Sequence, residues 1–450
     1  MEKENKILTA AREACLRSLV NVEKNKSYST LELTDAVSKN HFDSDSDKLN
    51  RTFFTRLFYG VIENKLTLDY YIENICDKTK KIDPVIINIL RMGLYQILYM
   101  DKVPDSAACD ESVKLAKKFN PKNIKIGGFV NAVLRNFIRT KENQIKNTEN
   151  IKNFDKYLEI KYSCSSGIIK IWEESYGRDI AVKILEKSRE KRGLTITVNA
   201  LKISRDEYYK NLLLQDIILI IERIERTEIS PSGLIITGDI PVKNLYGYGD
   251  GLFFVQDESS QVCAFETGAK PGDLVIDCCS APGGKSFFMA QMMKNTGKII
   301  SLDLHKNKLG LINDSAKRLG IDIIETYEHD STIKFDKLNN SKADIVLCDV
   351  PCSGLGVISK KPEIKYKTPD EISKLPELQY KILSACSNYV KPDGTLVYST
   401  CTLNKKENEE VVKKFLDENK NFECVNTKTF FPFERKIDGF FLAKMRRNGV

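Results

Sequence analysis

The chain has 450 residues, of which 42% are hydrophobic and 29% are charged, and its formal net charge is +8. This size predicts two or three domains with apolar cores, since a domain averages about 150 residues. No apolar stretch reaches the roughly 18 residues that a membrane span requires, and the polar start at Glu2 argues against a secretory signal. The positive charge fits a nucleic-acid partner, but ordinary surface charge would explain it equally well.

Cysteine and histidine usage excludes the common zinc modules. Twelve cysteines are scattered along the chain without a C-x-x-C pair, and only three histidines are present. Zinc sites are built from such pairs and from histidines, so we expect no metal. Scattered thiols persist in a reducing compartment, which predicts a cytoplasmic location.

Residues 1–145 are predicted to form an all-α domain. Apolar residues repeat at helical spacing over 53–61 and again over 86–97. A last helix is expected to begin near Gly127. Residues 141–155 are rich in Lys, Asn and Glu, which predicts a linker.

Residues 156–245 are predicted to form a small α+β middle domain. Residues 168–188 favour a pair of helices, whereas residues 194–198 and 233–236 have the composition of short strands. This region contains no recognisable chemical motif.

From residue 246 to 450, strand, loop and helix alternate, which predicts an α/β Rossmann-like domain with a parallel sheet. Its strands are predicted at residues 274–279, 298–303, 321–326, 344–348 and 395–398. If the first, fourth and fifth of these are neighbours, the segments that follow them meet at the carboxyl edge of the sheet. Open α/β sheets bind their ligands at that edge.

The first of these segments is a glycine loop. It consists of Ser280, Ala281, Pro282, Gly283, Gly284 and Lys285. Glycines let backbone N–H groups approach a ligand closely, although the spacing matches neither of the common phosphate-binding motifs and a plain tight turn would explain it as well. Asp303 ends the next strand, where it could accept hydrogen bonds from ribose hydroxyls. Asp330 follows the third strand and could meet an adenine amine. For each acid alone, a solvated loop residue is the alternative.

Two cysteines follow strands directly. Cys352 comes after Asp349 and Pro351, and Cys401 comes after Thr400. The thiolate is a nucleophile, and a polar or positive neighbourhood favours it. Two thiols beside a nucleotide-type pocket therefore predict covalent chemistry.

Three other cysteines, Cys278, Cys279 and Cys348, lie within apolar runs. A cysteine in such a run usually behaves as a small hydrophobic residue, so we expect inert core thiols there.

The glycine loop, the Pro351-Cys352 motif and the Thr400-Cys401 motif together resemble the RNA cytosine-C5 methyltransferases that use S-adenosylmethionine. Residues 93–99, 111–116 and 129–135 are similar to the NusB-type RNA-binding domain. A NusB-like domain ahead of such a methyltransferase is typical of the bacterial RsmB (Sun/Fmu) family, and this resemblance covers nearly the whole chain.

The resemblance implies a monomer that methylates a cytosine of 16S ribosomal RNA. Cys401 would attack C6 of the base, Asp349 would lie near N3, and Cys352 would help to remove the C5 proton. The S-adenosylmethionine site would consist of Cys279, Ser280, Ala281, Pro282, Gly283, Gly284, Lys285, Asp303, Asp330 and Asp349.

Two other functions stay open. One is a cytosine-C5 methyltransferase that acts on tRNA or on another rRNA site, and the other is a non-catalytic RNA-binding or antitermination-like factor. The presence of Asp349, Cys352 and Cys401 together argues against the second. Thr197 stands where relatives carry an arginine, which leaves the RNA contacts of the middle domain open.

Overall fold

A computed structural model describes residues 2–25, 29–40, 42, 47–76, 81–190, 192–215, 221–238, 241–338 and 342–449. The chain forms two compact units. The first contains Met1–Ile171 and Lys360–Thr368, and the second contains Trp172–Ser359 and Pro369–Val450. Within the described residues, no helix combines the length and the apolar character that crossing a bilayer requires.

The first unit is helical. Its helices are α1 (Glu2–Asn25), α2 (Ser29–Lys39), α3 (Lys48–Glu63), α4 (Lys65–Ile75), α5 (Pro84–Tyr99), α6 (Asp105–Phe119), α7 (Ile126–Glu149), α8 (Phe154–Tyr162) and the first part of α9 (Ser166–Tyr176). The apolar stripes predicted from the sequence lie on α3 and α5, and they meet in one core that includes Phe54, Leu57, Leu90 and Leu94. The prediction of a helical N-terminal region is therefore confirmed.

The segment 141–155 is helical over most of its length, because α7 continues to Glu149 and α8 begins at Phe154. Its polar composition reflects the solvent-facing side of these turns, whereas Thr148 is buried.

The first unit also contains a charged residue in its core. Arg91 on α5 is 7% exposed and donates from Nε to Asp69 Oδ1 over 2.6 Å and from Nη1 to Glu23 Oε1 over 2.7 Å.

The second unit begins with a small antiparallel sheet. Its elements are α10 (Arg178–Lys187), β1 (Leu194–Val198), α11 (Arg205–Leu213), β2 (Ile221–Arg226), β3 (Gly233–Gly238) and β4 (Phe253–Val255). The strand order is β2-β3-β1-β4. The helices predicted over 168–188 and the strands predicted at 194–198 and 233–236 are present. Sequence analysis missed β2, whose two isoleucines are separated by charged residues.

The larger sheet carries the rest of the second unit. Its elements are α12 (Glu258–Glu266), β5 (Leu274–Asp277), α13 (Gly284–Met292), β6 (Lys298–Asp303), α14 (Lys306–Leu319), β7 (Ile324–Glu328), β8 (Ala343–Asp349), α15 (Pro369–Ser373), α16 (Leu375–Ser387), β9 (Val390–Thr400), α17 (Glu409–Glu418), β10 (Phe422–Phe430) and β11 (Phe440–Arg447). The strand order is β10-β11-β9-β8-β5-β6-β7. Strands β9, β8, β5, β6 and β7 are parallel, and β11 and β10 are antiparallel.

Both faces of this sheet are covered, which explains the continuous apolar runs in its strands. On β8, Val346 packs into the core on one face, and Ile345 and Leu347 pack into the core on the other. Strands β9, β8 and β5 are neighbours, as predicted, so the ends of all three lie at one edge.

Several strand boundaries differ from the prediction: β5 ends at Asp277, β9 begins at Val390, and the third predicted strand is displaced along the chain. The strand expected over 321–326 runs from Ile324 to Glu328 instead. Helix α14 ends at Leu319, Gly320 follows it in a left-handed conformation, and the amide of Ile321 donates to Ala316 O over 2.9 Å. The apolar Ile321 therefore belongs to the end of the helix, where it packs in the core.

Candidate active site

The glycine loop is a tight turn between β5 and α13. Gly283 has a φ of +106°, and a Cβ atom there would lie 2.4 Å from the ring of Phe287, so only glycine fits. The amide of Gly283 donates to Ser280 O over 2.7 Å, and the amide of Ser280 donates to Leu302 O over 2.9 Å. The loop is therefore secured to the neighbouring strand β6.

Asp303, at the end of β6, contacts the same loop. Its Oδ2 accepts from the amide of Ala281 over 3.2 Å, and its Oδ1 accepts from the amide of His305 over 2.9 Å. Each carboxylate oxygen has a second lone pair, and the side chain lies beside the backbone that a cofactor would approach. This position fits the predicted contact with ribose hydroxyls, which stays a prediction.

Asp330 is exposed, and its Oδ1 accepts from the amide and the hydroxyl of Thr332. The hydrogen bond from the Thr332 amide lowers the pKa of Asp330. The neighbouring Ser331 donates to Cys278 O over 2.6 Å, which places this turn against the start of the glycine loop. A contact between Asp330 and adenine stays a prediction, and the carboxylate also stabilises its own turn.

Asp349 ends β8 and accepts two hydrogen bonds, one from helix α13 and one from the neighbouring strand β9. Its Oδ2 accepts from Lys285 Nζ over 2.6 Å, and its Oδ1 accepts from Ser399 Oγ over 2.7 Å. Burial alone would lower the pKa of Lys285, but the negative charge of Asp349 outweighs it and raises that pKa. The ion pair links the helix that follows the glycine loop to the edge at which both cysteines lie.

Cys352 and Cys401 are brought together. Their Sγ atoms are 3.3 Å apart, and both side chains are half-buried just beyond the ends of β8 and β9. The hydrogen bond to Cys401 and burial raise the pKa of the Cys352 thiol well above its ordinary value. A protonated Cys352 that donates to Cys401 would stabilise negative charge on the Cys401 sulfur.

Four polar residues of this site were missed by sequence analysis. Asp277 is 1% exposed at the end of β5, and burial raises its pKa to about 7. Glu407 and Asn408 are fully buried beneath the two cysteine loops. No sequence feature distinguishes Glu407 and Asn408 from the residues of a solvated loop. Ser399 on β9 pairs in register with Asp349 on β8, and this pairing brings the two side chains together.

Cys278, Cys348 and Cys386 form a second group of thiols in the core of the larger sheet. Their sulfur atoms lie within 4.8 Å of one another, and all three residues are buried. Cys278 and Cys348 belong to the apolar core and Cys279 is half-buried beside them, while the expectation that these thiols are inert stays a prediction. A structural zinc ion takes four ligands, and this group offers three.

The middle region places Thr197 inside the protein. The residue is fully buried on β1, and its hydroxyl donates to Gln256 Oε1 over 2.8 Å. A side chain in this position cannot reach RNA without local rearrangement, so any RNA contact of this subdomain must come from other residues.

Comparison with known proteins identifies two parts of the chain. A family model described as 16S rRNA methyltransferase RsmB/F matches residues 267–446, and the NusB family model matches residues 9–139. A probable ribosomal RNA small subunit methyltransferase B of Bacillus subtilis (strain 168) is 35% identical over 466 residues, which covers 98% of this chain and 99% of the relative. A ribosomal RNA small subunit methyltransferase B of Klebsiella pneumoniae is 30% identical and covers 90% of this chain and 92% of its own length.

Solved structures agree with the fold. The crystal structure of the protein PH0851 has a TM-score of 0.81 and 26% identity, and the match covers 98% of this chain and 99% of that one. A methyltransferase homolog from Pyrococcus horikoshii has a TM-score of 0.58 and 26% identity, covering 66% of this chain and 100% of its own. The first match extends over both units, and the second over about two thirds of the chain.

Proposed function

The chain belongs to the RsmB/F family of ribosomal RNA methyltransferases, and we propose that it methylates C5 of a cytosine in 16S ribosomal RNA through a covalent cysteine adduct. Family membership makes it an S-adenosylmethionine-dependent rRNA methyltransferase with a NusB-like helical domain. The family resemblance suggests cytosine 967 as the target.

One observation carries the proposal, namely the separation of 3.3 Å between the sulfur atoms of Cys352 and Cys401. C5 of cytosine is a poor nucleophile, and addition of a thiolate at C6 makes it electron-rich. Once C5 carries the methyl group, Cys401 can leave only after the C5 proton is removed. Two thiols within one hydrogen bond of each other can divide these two tasks.

The residues at the carboxyl edge fit S-adenosylmethionine. The glycine loop, Asp303 and Asp349 surround the ends of neighbouring parallel strands, where nucleotide ligands of such sheets bind. Gln256 is 6% exposed, and its Nε2 has no acceptor within the described residues. This atom lies 3.5 Å from the position of a Cβ on Gly284, so an unused donor faces the loop. When bound, S-adenosylmethionine supplies an electrophilic methyl group.

The protein side chains perform the remaining steps. Cys401 Sγ adds to C6, and its electron pair becomes a C6–S bond while the electrons of the C5–C6 double bond shift onto the base. The electron pair displaced onto N3 takes up a proton, and Asp349, held by Lys285 and Ser399, either delivers that proton or accepts a hydrogen bond from the resulting N3–H group. After C5 is methylated, the C5 proton passes to Cys352, which must have lost its own proton by that stage to act as the base. The double bond forms again and Cys401 leaves as a thiolate. The target base must leave its stack to reach this edge.

Replacing Cys352 by alanine tests this proposal. Cys401 would still attack and the methyl group would still move, but the loss of the C5 proton would be blocked. We therefore expect Cys352→Ala to form a complex with 16S rRNA that survives boiling in detergent. The complex should be absent in Cys401→Ala and in the double variant Cys352→Ala, Cys401→Ala.

Two outcomes would contradict the proposal. Wild-type turnover of Cys401→Ala would remove the nucleophile from the mechanism. A Cys352→Ala protein that binds S-adenosylmethionine normally but forms no covalent RNA complex would leave the division of labour between the thiols without support. Calorimetry with S-adenosylmethionine provides the control, since neither thiol is expected to bind the cofactor.

The RNA target separates this proposal from a methyltransferase that acts on tRNA. Bisulfite mapping of both RNA classes, from a strain lacking the gene and from its parent, should show one cytosine in 16S rRNA that loses its methyl group. Loss confined to tRNA would support the alternative, and no loss in either RNA would support the non-catalytic factor.

A further inference from the structure

Glu407 is a fully buried carboxylate with four hydrogen-bond donors. Its Oε2 accepts from the amide of Ser353 over 2.8 Å and from Gln379 Nε2 over 2.9 Å. Its Oε1 accepts from Ser353 Oγ over 2.5 Å and from Asn404 Nδ2 over 2.9 Å. All four donors are uncharged, so the interaction satisfies the carboxylate without an ion pair.

Three of these contacts converge on the residues that flank Cys352. Ser353, the residue after it, provides two of the donors. Gln379 Nε2 also donates to the carbonyl of Pro351, the residue before Cys352, over 3.0 Å. The carboxylate of Glu407 therefore determines the backbone position on both sides of the Cys352 thiol.

Asn408, the next residue in the chain, makes the equivalent contacts around Cys401. Its Oδ1 accepts from Thr400 Oγ1 over 2.6 Å, and its Nδ2 donates to Thr402 O over 3.0 Å. Thr400 and Thr402 are the two neighbours of Cys401 in the chain. Ser353 Oγ and Thr402 Oγ1 are also 2.6 Å apart, which joins the two loops to each other.

We propose that Glu407 and Asn408 are positioning residues, with Glu407 placing the Cys352 thiol for release of the product and Asn408 placing the Cys401 thiol for attack. Neither residue touches the substrate in this assignment, and each acts through the neighbours of one cysteine. The inference rests on the proposed function, because it assigns the two thiols to separate steps.

Physical chemistry supports the need for a carboxylate. An amide at position 407 would keep one acceptor oxygen but would present an NH₂ group to donors that already point inward, so at least one of them would lose its acceptor. The Ser353 loop would then shift, and small displacements of a reacting group have large kinetic effects. The negative charge of Glu407 also contributes to the raised pKa of Cys352, and a raised pKa makes the Cys352 thiolate a stronger base towards the C5 proton.

The two residues should give opposite phenotypes. In Glu407→Gln we expect turnover on the order of 10²-fold lower, together with accumulation of the covalent RNA complex, because attack continues while release is slow. In Asn408→Ala we expect a similar loss of turnover on the order of 10²-fold without any covalent complex, because attack itself is slow. Both variants should bind S-adenosylmethionine with wild-type affinity by calorimetry.

Glu258→Gln is the matched control. Glu258 is 2% exposed and accepts backbone hydrogen bonds from Ile229 and Ser230, far along the chain from both cysteine loops. The same substitution of a buried carboxylate should leave the ratio of bonded to released RNA at the wild-type value. If Glu407→Gln fails to fold, Ser353→Ala removes one donor to the same carboxylate and should also accumulate the complex.

The outcomes distinguish the positioning roles of Glu407 and Asn408 from the proposed function. If Cys352→Ala forms the covalent complex but folded Glu407→Gln or Ser353→Ala does not, the positioning role of Glu407 is wrong and the proposed function stands. If Asn408→Ala accumulates the complex, the assignment of Asn408 to the attack step is wrong. If Cys352→Ala itself forms no complex, the proposed function fails, and the positioning inference fails with it.

Discussion

Replacement of Asp277 by asparagine should stabilise the second unit at neutral pH. The side chain is 1% exposed at the end of β5, and Ser286 Oγ donates to its Oδ2 over 2.7 Å. Its Oδ1 has no donor in good geometry within the described residues. Because a carboxylate in such a site loses its hydration, burial raises the pKa of Asp277 to about 7, from an ordinary 3.8.

The sign and size of the effect follow from the two pKa values. The unfolded chain releases its proton near the ordinary pKa of 3.8, and the folded chain does so at about 7, so stability falls as the pH rises between them. A difference of about 3 in pKa corresponds to about 4 kcal/mol in the free energy of unfolding. Asparagine has no proton to lose. The gain in unfolding free energy of the variant over the wild type should therefore be small at acidic pH, grow towards neutral pH, and remain constant above it.

Urea unfolding followed by tryptophan fluorescence measures this directly. Trp172 is the only tryptophan of the chain and is fully buried in the second unit, so its emission reports on that unit. Asp344→Asn is an opposite control, since the hydrogen bond from Lys391 lowers the pKa of Asp344 despite its partial burial. That variant should lose stability at neutral pH, and the deficit should shrink as the pH falls. A stability gain of Asp277→Asn that does not change with pH would refute the reasoning.

Three further substitutions test other parts of the structure. Asp303→Asn should weaken S-adenosylmethionine binding by about 1.5–3 kcal/mol, because a charged acceptor is lost; unchanged affinity by calorimetry would remove Asp303 from the cofactor site. Gly283→Ala should cost about 1–3 kcal/mol of stability, since its φ is +106° and the methyl group meets Phe287, and an unchanged melting temperature would contradict this. Arg91→Met should lower the stability of the first unit by about 1.5–3 kcal/mol, because its hydrogen bonds to two carboxylates are lost. Circular dichroism on heating measures this loss, and full stability would show that these hydrogen bonds contribute little.

The five parallel strands of the larger sheet could be predicted because their burial is local information, whereas sequence analysis missed the antiparallel strands β10 and β11. Strands β5, β8 and β9 pack on both faces, and this requires unbroken apolar runs that are visible in one dimension. The boundary of β7 could not be predicted in the same way. Ile321 is as apolar as a strand residue, but its amide bonds to the end of α14, and only the packing of that helix decides this.

The amino-acid sequence by itself determined which chemical groups the protein can use and to which strand end each is attached. Parallel strands bring their carboxyl ends to one edge, so the convergence of the glycine loop, Asp349 and the two cysteine motifs was expected on the condition that β5, β8 and β9 are neighbours, and the tertiary structure decided that they are. Only the tertiary structure decided the distances, including the 3.3 Å between Cys352 and Cys401 and the ion pair of Lys285 with Asp349. It also decided that Glu407 is buried. The physical reason is that burial and hydrogen bonding depend on neighbours from distant segments, and a polar residue in a loop has the same sequence signature whether it faces water or the core.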